Sequence, residues 1–85
     1  MAVVKLFANL RSIAETKEVS VTGASLGACV MSLVEQIPAL DGVILQNGQI
    51  RPHFVINING HAALDSEIPV NEEDTIAIFP PIAGG

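Results

Sequence analysis

The residues of this chain with the most evident chemistry stand at its end, Phe79-Pro80-Pro81-Ile82-Ala83-Gly84-Gly85. A C-terminal carboxylate has a reference pKa of about 3.3 to 3.7, so at neutral pH it is ionised and a poor electrophile. Gly85 therefore needs activation before its carbonyl carbon can accept a nucleophile. Glycine suits such a terminus because it has no Cβ to hold the backbone away from a nucleotide or catalytic group in a narrow site. Pro80 and Pro81 stiffen the approach: the stretch 80–85 projects roughly 18 Å at the polyproline rise of about 3.1 Å per residue. A preorganised start also lowers the ordering cost of insertion. Gly85 is the expected attachment point, with Pro80, Pro81 and Gly84 as the tail that delivers it.

Other reactive side chains carry less. Cys29 lies near the apolar stripe of a predicted helix, where free cysteine behaves as a small buried hydrophobe. His53 and His61 flank a predicted hairpin without a third ligand spaced for a metal. Asp65, Glu67, Glu72, Glu73 and Asp74 read as a solvated loop and lack calcium-ligand spacing. No Ser-His-Asp or Cys-His set, glycine-rich phosphate loop or adenylating motif is present. No catalytic residue is expected: the chain reads as the substrate of an activating enzyme, with no bound cofactor.

At 85 residues, nearly half of them apolar and only 15% charged, the chain fits one globular domain, expected over 1–79 with the tail at 80–85. The net charge is -5, and Lys5, Arg11, Lys17 and Arg51 are the only permanent cations. That excludes the clustered basic surface nucleic acid needs. A single cysteine favours a reducing compartment, so the cytoplasm is expected. No secretory leader is evident, and no segment reaches the roughly 20 apolar residues of a membrane helix.

Several elements must position the tail. Residues 3–8 predict a strand with Val4, Leu6 and Ala8 facing the core; 9–17 a connection with one helical turn; and 18–22 a second strand alternating at period 2. Leu26, Val30, Leu33 and Ile37 then recur at helical spacing behind Ser25 as N-cap, and Pro38 ends the helix. Residues 40–50 read as a loop crossing with turns at Asp41-Gly42 and Asn47-Gly48. Residues 53–58 form a strand with Phe54, Ile56 and Ile58 on one face, Asn59-Gly60 a hairpin turn, 61–64 a short return strand, and 75–79 a last strand stopped by the prolines. The order predicts an α+β fold: a mixed sheet of about five strands around one main helix, first and last strands parallel at its centre. Strand parity then puts Phe7, Val55, Ala77 and Phe79 on the face away from the helix, as an apolar patch that marks a protein interface.

The closing Phe79-Pro80-Pro81-Ile82-Ala83-Gly84-Gly85 resembles the end of the molybdopterin synthase small subunit; Leu6-Phe7-Ala8-Asn9-Leu10-Arg11 resembles that family's first strand and turn, and Ile58-Asn59-Gly60 its hairpin. The chain departs at Ser12 and Glu15, where the family often has Glu and then Gly. The resemblance implies the ubiquitin-like β-grasp fold, related to the thiamine-biosynthesis sulfur carrier. It implies that a ubiquitin-activating-type adenylating enzyme couples Gly85 to AMP from ATP, and that sulfur from a sulfur donor protein then gives a thiocarboxylate. Sulfur would pass to the molybdopterin dithiolene inside the large subunit of molybdopterin synthase, in an assembly of two small and two large subunits. The resemblance points to Phe7, Phe79 and Ala62 as contacts to that subunit, and Arg11 is expected as a polar contact at the rim. The rival reading is a ubiquitin-like modifier joined through Gly85 to lysines of target proteins.

Overall fold

A computed structural model describes residues 1–63 and 65–81. Five strands form one sheet in the order β2-β1-β7-β5-β6: β1 Ala2–Leu6, β2 Glu18–Val21, β5 Val55–Ile58, β6 His61–Ala62 and β7 Thr75–Phe79. β1 and β7 run parallel at its centre, pairing Val4 with Ile76 and Leu6 with Ile78, and the other pairs are antiparallel. Helix α2, Leu26–Gln36, supplies the largest apolar face to the core. The element order predicted this mixed sheet around one main helix, and it is the ubiquitin-like β-grasp arrangement that the resemblance implies.

The core follows from two periodicities. Val4 and Leu6 of β1, Ile76 and Ile78 of β7 and Ile56 of β5 alternate onto one face of the sheet and are buried. Leu26, Cys29, Val30, Leu33 and Val34 of α2 meet them. Each fully buried aliphatic side chain contributes about 1.5 to 3 kcal/mol relative to exposure, so this contact dominates the fold. Ser25 caps α2, its Oγ accepting from the Ala28 N–H at 3.2 Å, while the Leu26 and Gly27 N–H groups donate to Ile68 and Ser66 carbonyls. Pro38 opens a 3-10 turn, Pro38–Leu40, that carries Leu40 into the core. Ile37, expected on the helix stripe, is half-buried at its edge.

Four departures from the sequence reading have local causes. Strand β1 stops at Leu6, and Ala8 is exposed instead of facing the core, because its backbone turns at φ 55° and ψ -135°. Leu10, from the short helix α1 (Asn9–Ala14), takes the core position instead. The expected crossing at 40–50 contains a small hairpin, β3 Leu45–Gln46 with β4 Gln49–Ile50, closed by Asn47-Gly48 with both residues at positive φ. The strand expected from 53 begins at Val55, since His53 lies in a turn at φ 72°. The return strand expected over 61–64 is His61–Ala62; Leu64 lies outside the described residues.

Candidate functional site

The tail leaves the sheet from its central strand. Phe79 ends β7, held by β5 in a register pairing it with Val55. On the other side the parallel register Leu6↔Ile78 brings Phe7 alongside. The two rings stack with centroids 4.3 Å apart and planes 16° from parallel, a contact worth about 0.5 to 1.5 kcal/mol beyond the area it buries. Both are half-buried on the face away from α2, and Pro80 follows Phe79 directly.

Arg11 braces this pair. Its Nε donates to the Leu6 carbonyl at 2.8 Å, and its guanidinium carbon lies 5.2 Å from the Phe7 ring centroid, within cation–π range. The turn that brings Arg11 back over Phe7 is the one made at Ala8, with Leu10 N–H donating to Phe7 O at 3.2 Å. A non-glycine residue at that φ and ψ stores about 1 to 3 kcal/mol of strain. Nothing in the residue types announces this; Ala8 is the site residue that the sequence missed.

Register places the remaining candidates on the same face. Lys5, Ala77, Asn57 and Ala62 stand in one row across β1, β7, β5 and β6. Val55, 54% exposed, lies open on this face. Phe7, Phe79, Val55 and Ala77 thus gather at the root of the tail, while Ala62 lies at the β6 edge beyond Asn57. Gly84 and Gly85 lie outside the described residues. Pro80 and Pro81 also border a cavity of about 370 Å³ shared with Asn9, Arg51 and His53.

Cys29 and Asp74 have structural roles. Cys29 is fully buried with its Sγ 3.6 Å from Gly23 O; burial pushes the thiol pKa up and the charge of Asp74 adds to that, so its thiolate is disfavoured. Asp74 ties two loops together: its carboxylate accepts from Asn71 N–H at 2.8 Å and Asn59 Nδ2 at 2.8 Å, and Asn59 Oδ1 accepts from Thr75 N–H at 2.9 Å. These bonds, that from the Asn71 backbone foremost, hold the carboxyl below its ordinary range. The acidic stretch 65–74 is thus more than a solvated loop, since it also buries Val70 and receives the first N–H groups of α2. Among the described residues no three His, Cys, Asp or Glu side chains gather as a metal would require, and no helix is long and apolar enough to cross a membrane.

One main helix, α2, gripped by a five-stranded mixed sheet, with an apolar face at the last strand's exit, defines the class of ubiquitin-like β-grasp proteins. Residues 4–85 match the sequence pattern of the ThiS family. The chain belongs to that family of ubiquitin-like sulfur carriers. It is 36% identical over 85 residues to small archaeal modifier protein 1 of Haloferax volcanii, with 95% of this chain and 97% of that protein covered. The crystal structure of SAMP1 from the same organism superposes with a TM-score of 0.91 at 32% identity, covering 99% and 98% of the two chains. A Pyrococcus furiosus chain assigned as molybdopterin converting factor subunit 1 shares the fold at TM-score 0.72, with 19% identity and coverage of 95% and 97%.

Proposed function

We propose that the chain carries sulfur on Gly85 toward the molybdopterin dithiolene. The observation that carries this reading is the construction at the root of the tail: Phe79 is fixed between β1 and β5, stacked on Phe7, and followed at once by two prolines. A rigid exit of this kind fixes where Pro80 and Pro81 leave the sheet, which lowers the ordering cost when a partner's active site takes the terminus. The carboxylate oxygen of Gly85 attacks the α-phosphorus of ATP in the adenylating partner and expels pyrophosphate. Hydrosulfide supplied by a donor protein then displaces AMP at the carbonyl carbon and gives up its proton, leaving a thiocarboxylate whose sulfur is the nucleophile for the next step. The apolar face of Phe7, Phe79, Val55 and Ala77, rimmed by Arg11 and reaching Ala62, docks first the adenylating enzyme and then the large synthase subunit.

A second reading, conjugation of Gly85 to lysines, is favoured by the 36% identity to a small archaeal modifier protein across nearly the whole chain. Both share adenylation and diverge at the nucleophile. The test is intact mass after incubation with ATP and a sulfur source in a cell extract, for the native chain and one lacking Gly85. Exchange of one oxygen for one sulfur in the native chain alone supports the carrier reading. Conjugates on lysine without any sulfur-bearing form would replace it with the modifier reading.

A further inference from the structure

The sheet has two edges of unequal length. β6 offers two residues, whereas β2 offers four, Glu18–Val21. An open edge of that length is a template for another strand. Its parity is fixed by Leu6 N–H donating to Lys17 O at 2.9 Å, with Leu6 and Lys17 extending the β1–β2 register. In an antiparallel ladder the bonded pairs alternate, so the N–H and C=O groups of Glu18 and Ser20 point outward, away from β1.

That outward row is already occupied by the chain's own side chains. Gln36 Nε2 donates to Ser20 O at 2.7 Å. Ser32 Oγ accepts from Thr22 N–H at 3.2 Å and lies 3.5 Å from Gln36 Nε2. Thr16 Oγ1 donates to Glu18 O at 3.2 Å and lies 3.5 Å from Glu18 N. Only the Ser20 N–H lacks a side-chain partner among the outward groups of Glu18 and Ser20 in the described residues. Ser32 and Gln36 stand four apart on α2, hence on one helix face. Gln36 is exposed, so burial does not account for its amide.

We propose that Gln36, Ser32 and Thr16 close the β2 edge against strand addition by a second copy of this chain. A second copy is the occupant the geometry favours, because antiparallel pairing about a two-fold axis sets the same outward row against itself. The net charge of -5 opposes such pairing only over a distance that salt shortens. Occupied acceptors act at contact range and are insensitive to salt. The closed edge leaves the opposite face and the tail free for partners whatever chemistry Gly85 performs.

The experiment compares the full native chain with Ser32→Ala/Gln36→Ala by sedimentation velocity at low and high salt, with circular dichroism to verify folding. The double variant is expected to self-associate at least roughly tenfold more tightly than native, with the Ser20 amide proton becoming protected from exchange. Adding Ser20→Pro, which removes the one open donor without touching the β1 ladder, returns it to monomer. A folded double variant as monomeric as native, or a native chain that already dimerises through β2, overturns the proposal. If the double variant does not fold, Gln36→Ala alone decides by the same criteria, since its side chain is exposed.

Discussion

Truncating one ring of the stacked pair tests whether Phe7 and Phe79 act as a unit. Removing a fully buried Phe side chain costs about 3 to 5 kcal/mol. Phe79 is half-buried, so Phe79→Ala should cost about 2 kcal/mol. The stack at 4.3 Å accounts for about 1 kcal/mol of that. At about 4 to 8 °C per kcal/mol for a domain of this size, the midpoint should fall by roughly 8 to 16 °C. Urea unfolding of native, Phe7→Ala, Phe79→Ala and the double variant closes a thermodynamic cycle. The double variant should be more stable than additivity predicts by about 1 kcal/mol. Additivity within about 0.3 kcal/mol would falsify the claim that the stack holds the root of the tail.

Three further substitutions probe the surrounding construction. Glu15 ends α1 in the left-handed region at φ 59° and ψ 26°, so Glu15→Gly should raise stability by about 1 kcal/mol in urea unfolding; a loss would show that its side chain has a role in the fold. A Cβ at Gly23 would lie 2.7 Å from the Cys29 backbone nitrogen, so Gly23→Ala should destabilise by about 1 to 3 kcal/mol, and an unchanged melting temperature would contradict that packing. The lowered pKa of Asp74 contributes stability present above the unfolded carboxyl pKa of about 3.9 and lost as pH falls through the folded value. Asp74→Asn should therefore flatten the acid limb of the stability curve, and an unaltered limb would assign acid sensitivity elsewhere.

How far the sequence reached depended on whether a residue's position was set by periodicity or by backbone conformation. The stripe Leu26, Val30 and Leu33, the Ser25 cap and the stop at Pro38 were legible because spacing and capping chemistry act locally. The parallel pairing of β1 with β7 was also legible, since their continuous apolar runs belong at the centre of a sheet. Ala8, Glu15 and His53 were not, because all three adopt positive φ under tertiary constraint, without the glycine that normally marks it. The absence of the family's usual glycine near Glu15 was visible as a departure, and its conformational meaning emerged only in the fold. Arg11 was visible as a rim cation, but its bond to Leu6 O depends on the turn at Ala8.

The most direct measurement of the central claim is ATP–pyrophosphate exchange by the purified adenylating partner, with the native chain or the chain lacking Gly85 as acceptor. Exchange that requires Gly85 and saturates with the native chain is the expected result. Equal exchange with both chains would contradict the assignment of the activated carboxylate to Gly85.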